Sequence, residues 1–405
     1  MRTYQYKHPE SKPTILCFLA YYLPGYKSGG PVRSIANFVE CFSKEFDIYI
    51  VTSDRDFQDN EPYSGVTSGA WSEVGGAKVY YISVSPLTVI TVASLLRSVQ
   101  YDVLYVNSFF SPFFTAIPLL LRKLGMVPNK PCVIAPRGEF STGALLLKST
   151  KKKIYMAMAK VTGLYKGLWW QASSEHEKMD IRNALSYVRS ESVIVARNVA
   201  KIDTSVDFQV HVRCRNPDAA LRICFLSRIS PKKNLDFALR LLAQTDADVV
   251  FTIYGPKEDA LYWQKCAGLI SALPPNVRAI YSGEVRPSDV QSTLMEHDLF
   301  LFPTRGENHG HVIHEALMSG LPVLLSDQTP WSDVESRGVG WAISLDDEIE
   351  FSRRIDEVAN WSQSHMYRVR LAAVSYATEL ASDDEVLRSN KELFFRAIAG
   401  ENPTK

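Results

Sequence analysis

Short apolar runs rich in β-branched and aromatic residues alternate along the chain with longer segments of helical periodicity. Runs that are apolar throughout are typical of parallel strands buried on both faces. The alternation therefore predicts an α/β protein built from βαβ units. The predicted strands lie at 15–20, 47–52, 78–84, 103–107, 132–136 and 193–195 in the first half and at 221–226, 249–254, 277–281, 299–302 and 322–326 in the second.

The periodicity is interrupted at 197–219, which is polar and irregular and separates the two sets of strands. Two helical patterns, roughly 348–373 and 384–397, end the chain without a following strand. We expect two Rossmann-like, doubly wound sheets that face a central cleft, with ligands at the carboxyl ends of their strands. The predicted division is an N-terminal domain at 1–205, a C-terminal domain at 206–380 and a helix at 381–405 that packs back on the N-terminal domain.

Composition and charge narrow the class of protein. Of the 405 residues 46% are hydrophobic and 22% charged, as in soluble globular proteins, and the net charge of +1 gives no global attraction to nucleic acid. The six cysteines form no close pairs, which favours reduced thiols in a cytoplasm. The apolar runs at 15–23 and 109–121 are too short for a secretion signal and a membrane span respectively.

The segment richest in candidate chemistry runs from Glu307 to Glu315, after the predicted strand at 299–302. With Glu307 in a loop and Glu315 about one turn inside a helix, the carboxylates can hold two hydroxyl-bearing parts of one ligand. A purely structural alternative is a capping carboxylate and a solvated helix residue. The helix start also offers backbone N–H groups to an anion, and these belong to Gly310, His311 and Val312.

Two glycine-rich or basic loops follow other predicted strands. Arg228 and Lys233 precede a helix whose expected cap is Asn234. Cations at the positive end of a helix are unfavourable unless an anion joins them, and a diphosphate fits that need, although solvated surface cations are the alternative. After the first strand, Gly29 and Gly30 precede a helix that begins near Val32, and adjacent glycines let backbone approach a phosphate.

Together these three segments resemble the retaining glycosyltransferases of group 1, or family 4, which have the GT-B fold, and the resemblance covers most of the chain. It implies transfer of a sugar from a nucleotide-sugar donor, without a metal ion or other cofactor. The catalytic residues would be Glu307, on hydroxyls of the donor sugar, and Arg228 with Lys233, on the diphosphate. Glu315 would hold the ribose, and the Gly29–Gly30 loop would close over the diphosphate.

The segment 136–139, Pro-Arg-Gly-Glu, also resembles a subset of this family active in surface polysaccharide assembly, lipopolysaccharide included. We expect Arg137 to face the cleft on the donor side. The chain departs from the family pattern at Asn107, where many members carry histidine, and at His309, often aromatic. Asn107 can still bind a donor hydroxyl, but a histidine role does not carry over, and contact of His309 with the sugar is expected to differ.

The resemblance does not identify the sugar or the nucleotide, and UDP is favoured only because it is common. Leaving-group departure puts negative charge on the diphosphate, where Arg228, Lys233 and helix-start amides stabilise it. The leaving phosphate itself can take the acceptor proton, so no protein base is assigned.

Three rival interpretations remain open. His309, His311 and His314 can be read as zinc ligands of a hydrolase. The pairs Asp54/Asp56 and Asp246/Asp248 imitate the Asp-x-Asp metal motif of another glycosyltransferase fold, although solvated turn residues explain them better. A non-catalytic sugar-binding module on the same architecture is the third interpretation.

The stretch 140–174 contains no acidic residue and a local charge of +6. Its cations are interleaved with aliphatic and aromatic residues, which suits an anionic membrane surface, although an ordinary solvated helix face is the alternative. We expect a cytoplasmic protein, peripheral on the inner face of the membrane, with a lipid-linked glycan acceptor. The cations are Lys148, Lys151, Lys152, Lys153, Lys160 and Lys166.

Overall fold

A computed structural model describes residues 12–146, 149–200 and 219–400. The chain divides into two compact units. Unit 1 comprises Met1–Val199 together with Asp384–Lys405, and unit 2 comprises Ala200–Asp383. The chain therefore returns to the first unit after it has completed the second.

Unit 1 is built on an eight-stranded sheet in the order β3-β4-β2-β1-β5-β6-β7-β8. Every neighbouring pair is parallel except β3 with β4. The strands are β1 (Thr14–Phe18), β2 (Asp47–Ser53), β3 (Trp71–Val74), β4 (Ala77–Ile82), β5 (Val103–Asn107), β6 (Cys132–Ala135), β7 (Trp169–Ala172) and β8 (Val193–Val195).

Helices cover both faces of this sheet, because alternate strand residues supply two separate apolar cores. Leu16 packs with α2, α3, α5 and α6, whereas Ile15 packs with α1 and α13. The helices of unit 1 are α1 (Gly30–Phe42), α2 (Thr88–Ser98), α3 (Ile117–Lys123), α4 (Thr142–Leu146), α5 (Ser149–Thr162), α6 (Glu175–Ala184) and the late α13 (Asp384–Ile398), with a π-helical turn at Pro112–Ala116 before α3.

Unit 2 is built on a six-stranded, all-parallel sheet in the order β11-β10-β9-β12-β13-β14. Its strands are β9 (Leu221–Leu226), β10 (Val249–Tyr254), β11 (Val277–Gly283), β12 (Leu299–Phe302), β13 (Val323–Ser326) and β14 (Gly340–Ile343). Its helices are α7 (Leu235–Leu242), α8 (Ala260–Ser271), α9 (Val290–Met295), α10 (His311–Met318), α11 (Glu348–Ala359) and α12 (Gln363–Ala381).

The eleven predicted strands are all present, and the sequence missed β3, β7 and β14. The pattern at 348–373 is two helices, because the chain leaves the helix after Ala359 and the Ser362 side chain caps a new one by accepting from His365 N–H. Helix α1 begins at Gly30, two residues before the predicted start. No helix in the described ranges is long and apolar enough to cross a membrane.

Candidate functional site

The centre of the candidate site in unit 2 is an ion pair between Lys233 and Glu307. Lys233 Nζ lies 2.5 Å from Glu307 Oε2, and the two side chains are only 11% and 16% exposed. The ammonium also lies 5.2 Å from the ring centroid of Phe302 at the end of β12. Burial alone would raise the pKa of Glu307, but the Lys233 ion pair and the charge of Lys232 outweigh it and lower the pKa below its ordinary value. The carboxylate is therefore ionised at neutral pH.

The loops that carry this pair are fastened to each other by hydrogen bonds. Lys232 O accepts from Arg305 N–H at 2.9 Å and from the Thr304 hydroxyl at 3.1 Å. Glu307 N–H donates to Gln328 O at 3.0 Å, which ties the loop to the segment after β13. The spacing between Lys233 and Glu307 is thus set by backbone contacts as well as by their charges.

Asn234 precedes α7 but does not cap it, so that prediction was wrong. Its backbone is left-handed, with φ 63°, and its side chain makes no capping hydrogen bond. Instead, the amide donates to Pro303 O at 2.9 Å and accepts from Arg305 Nε at 3.0 Å. Asn tolerates this backbone conformation better than most residues, which explains the choice at a bridge between two loops.

Gly310 precedes α10 in a conformation that is unfavourable for residues with a side chain. Its φ is +76°, and an added Cβ would lie 2.8 Å from Ile313 Cδ1 and 3.2 Å from Glu307 Cγ. The Trp331 indole donates to His309 O at 2.7 Å and holds the preceding turn. The helix start therefore faces the Glu307 loop at close range, with the positive end of the helix dipole there. His311 and Val312 form the first turn, and half-buried Glu315 lies one turn in.

The three histidines do not converge. The rings of His309 and His311 lie 4.4 Å apart, whereas buried His314 donates through Nε2 to Ala377 O on α12 at 3.0 Å. Burial, only partly offset by that hydrogen bond, lowers the pKa of His314. In the parts of the chain that the structure describes, no three His, Cys, Asp or Glu side chains are placed to hold a metal ion.

Arg228 has an acidic partner that the sequence did not indicate. Its Nη1 lies 3.0 Å from Glu258 Oε1, and the two side chains are 34% and 26% exposed. The β9 and β10 loops are packed closely here, since a Cβ on Gly255 would lie 2.0 Å from Ser227 O. An anion that binds Arg228 must therefore exchange with, or join, the Glu258 carboxylate.

In unit 1, the Gly29–Gly30 loop is held by a buried aspartate. Asp56 accepts from the N–H groups of Tyr26 and Lys27 at 2.7 and 3.1 Å and is only 4% exposed. Asp54 is 1% exposed and accepts from the Ser68 and Ser83 hydroxyls. The expectation of solvated turn residues was wrong for this pair. Asp246 and Asp248, by contrast, are exposed.

Asn107 and Arg137 meet at the carboxyl ends of β5 and β6. Asn107 Oδ1 accepts from Arg137 Nε at 3.0 Å and from Nη2 at 2.8 Å. The Asn107 amide donates to the Cys17 thiol at 3.4 Å, and the side chain is 3% exposed. Its carbonyl oxygen and one amide N–H are therefore engaged within unit 1, and contact of these groups with a sugar hydroxyl would require an exchange of partners.

The structure thus brings together Lys233, Glu307 and the α10 start in unit 2, and Asn107 with Arg137 in unit 1. Glu258 and Asp56 were missed as partners. Each follows a parallel strand at its carboxyl end, and that position was the available signal.

Part of the chain matches a known protein family, and two curated proteins are similar to it. Residues 213–371 match the family model described as glycosyl transferases group 1. An uncharacterised 41.2 kDa protein in the cps region of Klebsiella pneumoniae is 21% identical over 270 residues, which are 65% of this chain and 71% of that protein. A GDP-mannose-dependent α-mannosyltransferase of Mycolicibacterium smegmatis is 28% identical over 115 residues, 28% of each chain.

Solved structures share the fold. Sucrose-phosphate synthase from Thermosynechococcus elongatus superposes with a TM-score of 0.72 at 12% identity over 96% of this chain and 100% of its own. Anabaena HepE in complex with UDP and glucose gives 0.65 at 16% identity, over 94% and 98%. WaaG, a glycosyltransferase involved in lipopolysaccharide biosynthesis, gives 0.63 at 14%, over 96% and 100%. These likenesses confirm the predicted GT-B fold.

Proposed function

We propose that this chain moves a sugar from a UDP-linked donor to a lipid-linked glycan acceptor in surface polysaccharide assembly. The chain belongs to the group 1 glycosyltransferases, as its sequence predicted. The observation that carries the donor half is the Lys233–Glu307 pair beside the start of α10. UDP is supported by the UDP and glucose bound to the structurally similar HepE. The polysaccharide role is supported by similarity to WaaG and to the cps-region protein.

The pair divides two tasks between its members. An ionised Glu307 accepts hydrogen bonds from sugar hydroxyls, and Lys233 places a positive charge beside it for the diphosphate. Negative charge grows on the diphosphate as the sugar leaves, so a cation held in place by Glu307 and Phe302 stabilises the transition state without reorganisation. Arg228 adds a second cation once the diphosphate displaces Glu258. Retention of configuration and independence from metal follow from the family resemblance.

The test is binding and slow hydrolysis of a panel of UDP- and GDP-sugars, in EDTA, by the native chain and by Glu307→Ala and Lys233→Ala. We expect one donor to bind, with Kd raised about 10- to 100-fold in each variant, because a charge-assisted hydrogen bond contributes about 1.5–3 kcal/mol. Asp246→Ala and Arg278→Ala, at exposed positions of unit 2, are matched controls. Binding of no donor, strict metal dependence, or equal loss in the controls would refute the assignment.

The lipid-linked acceptor in this proposal is supported by one layer of helices in unit 1. Residues 74–174 contain twelve Lys or Arg and only two acidic residues, Asp102 and Glu139. Glu139 is engaged by Ser108 and the Phe109 N–H. Helices α2, α3 and α5 pack on the same core, so they belong to one face of the sheet.

This layer also exposes apolar side chains that no described residue covers. Ile154 is 57%, Met158 61% and Val161 88% exposed, and all three lie on α5 at helical spacing. Exposed lysines flank them at positions 151, 153 and 160. Apolar residues reaching out among cations match the boundary of an anionic membrane, where the headgroups pair with lysine and the acyl chains receive the apolar tips. Further exposed apolar residues of the layer are Leu87, Ile90, Leu120, Leu124 and Met126.

Two of the lysines that the sequence predicted to contact an anionic membrane, Lys148 and Lys152, are not assigned to that contact. Lys152 is half-buried, donates to Ala144 O at 2.6 Å and lies 5.1 Å from the Phe110 ring centroid. It braces α5 on the unit, so a membrane contact is assigned to Lys151 and Lys153 instead. Lys148 lies outside the described residues.

A further inference from the structure

The guanidinium of Arg137 has only neutral partners. It donates to Asn107 Oδ1, to the Tyr105 hydroxyl at 2.6 Å and to Asn198 Oδ1. Among the described residues no carboxylate forms an ion pair with it, and the buried carboxylate of Glu177 is engaged by Gly138 N–H and by Ser173 instead. A partly buried charge is ordinarily paired with an opposite charge, so an anionic ligand would complement this guanidinium.

The backbone at this point is held in an unfavourable conformation. Ser108 follows β5 with φ 78°, and Arg137 follows β6 with φ 58°, both in the left-handed region where residues other than glycine are uncommon. Glu139 accepts from the Ser108 hydroxyl at 2.6 Å, and Ser108 N–H donates to Ala135 O at 2.9 Å. Such strain persists where surrounding contacts enforce it, and it is concentrated at ligand sites.

Hydrogen-bond donors remain for a ligand. Four of the five guanidinium N–H groups are used by Asn107, Tyr105 and Asn198, which leaves one on Nη1. Asn198 accepts from Nη1 through Oδ1, and its Nδ2 group makes no hydrogen bond to a described residue. The remaining Nη1 donor and the Asn198 amide thus belong to two side chains in direct contact, Arg137 half-buried and Asn198 buried, and no carboxylate of the described residues is paired with the guanidinium.

Resting on the proposed function, we propose that Arg137 and Asn198 bind a phosphate group of the acceptor, the group that joins the glycan to its lipid. Phosphate offers several acceptor oxygens and a charge that a guanidinium matches. The chain leads from this turn directly into α4 and α5, the latter with the exposed apolar and basic side chains that suit the lipid and its surface. The residues proposed for both parts of such an acceptor thus belong to unit 1.

Calorimetric titration of the full chain with farnesyl diphosphate, inorganic pyrophosphate and farnesol tests the site, in a Lys233→Ala background that weakens the proposed donor site. Asn198→Asp keeps the size of the side chain and places a carboxylate beside the Arg137 guanidinium. Arg137→Gln removes the positive charge. We expect farnesyl diphosphate to bind and each variant to weaken it at least tenfold. Arg182→Gln, an exposed arginine of the same unit, should leave binding unchanged.

The probes separate the source of the phosphate. Binding of pyrophosphate as tight as that of farnesyl diphosphate overturns the lipid-linked assignment, and farnesol as tight overturns the anion site. Undiminished binding by Asn198→Asp and Arg137→Gln, both folded by circular dichroism, also overturns it, as does absence of farnesyl diphosphate binding. Nucleotide-sugar binding, measured in parallel on the chain with its native Lys233, depends on Glu307 and Lys233, so failure of either site is recognised separately.

Discussion

At the residue scale, the proposed donor site lies beside Gly310, whose left-handed backbone is strained for residues with a side chain. Gly310→Ala requires a side chain at φ +76° and a contact of 2.8 Å with Ile313. We expect the free energy of unfolding to fall by about 1–3 kcal/mol and donor binding to weaken, because the α10 start must shift away from Glu307.

Gly268→Ala is the matched control, since Gly268 lies within α8 and a Cβ there meets nothing within 4 Å. It should leave donor binding unchanged and raise stability by about 0.5–1 kcal/mol. Urea unfolding and calorimetry measure both effects. Equal behaviour of the two variants would contradict the role given to Gly310.

The Lys233–Glu307 pair predicts a sign change in the pH dependence of stability. In the native chain the pKa of Glu307 is lowered, so its contribution is present above the unfolded pKa of about 4.3 and is lost as pH falls through the folded value. In Lys233→Met, the ion pair that lowers the pKa of Glu307 is absent, so burial raises that pKa. The contribution is then present at low pH and lost as pH rises through the raised value.

The free energy of unfolding in urea is measured from about pH 3 to 7 for each protein and for its own Glu307→Gln derivative. The difference isolates the contribution of the Glu307 carboxyl. Parallel curves for the native and Lys233→Met pairs would show that the lysine does not control the carboxylate. The derivative is needed because other carboxylates titrate in the same range.

Sequence spacing located Glu307, Lys233 and Gly310 because they lie near strand ends in short segments. The same reasoning did not find Glu258 or Asp56, whose partners Arg228 and Tyr26 are 30 residues away in each case. A contact over that distance depends on strand order, which one sequence leaves open. The prediction that Asn234 caps a helix was wrong for another reason, since Asn is favoured both at helix caps and in the left-handed backbone conformation.

At the element scale, α13 supplies a polar contact that reaches into the core of unit 1. Asn390 accepts from Gln171 Nε2 at 3.2 Å and donates to Arg197 O at 2.8 Å. Gln171 in turn accepts from the Tyr105 hydroxyl, whose oxygen accepts from Arg137. The last helix is thus linked by hydrogen bonds to the Arg137 turn.

Asn390→Ala should lower the free energy of unfolding by about 1–3 kcal/mol, because it leaves buried polar groups without partners. Ser389→Ala, at the neighbouring and more exposed position, should change it by less than about 0.5 kcal/mol. Chemical denaturation of the full chain compares them. A neutral Asn390→Ala would mean that water or rearranged side chains replace the lost bonds.

The three strands that the sequence pattern did not predict, β3, β7 and β14, were missed for similar physical reasons. β3 and β14 are four-residue strands at sheet edges, and neither is fully buried. β7 is also four residues long and lies near the end of the basic stretch 140–174, whose composition dominated the pattern. Long apolar strands were predictable because burial on both faces leaves a continuous signal, and short or half-buried strands leave little.

At the scale of the whole molecule, the net charge of +1 conceals a separation of charge. The excess of cations at 74–174 is balanced by acidic residues elsewhere, so one helical layer is basic while the total is almost neutral. Binding to vesicles of phosphatidylglycerol and phosphatidylcholine should therefore be strong at low salt and fall as ionic strength rises.

Replacing Lys151, Lys153 and Lys160 by Gln should weaken vesicle binding on the order of 100-fold at low salt, at about 1 kcal/mol for each lysine near the surface. Lys44, Arg278 and Arg368 replaced together by Gln remove the same charge from exposed positions off this layer. Cosedimentation measures both. Salt-insensitive binding, or equal weakening by the two triple variants, would contradict a membrane face on α5.

The return of the chain to unit 1 has a consequence for biosynthesis. Val386, Leu393, Phe394 and Ala397 of α13 belong to the core that also holds β1 and α1. A ribosome makes this helix only after the whole of unit 2 has been made, and domains usually fold in the order of synthesis. Here unit 2, continuous in sequence, can close first, while the unit begun earlier exposes an apolar sheet face until its final helix emerges. During translation, we therefore expect unit 1 to be the part that stays incomplete, and open to misfolding, for longer.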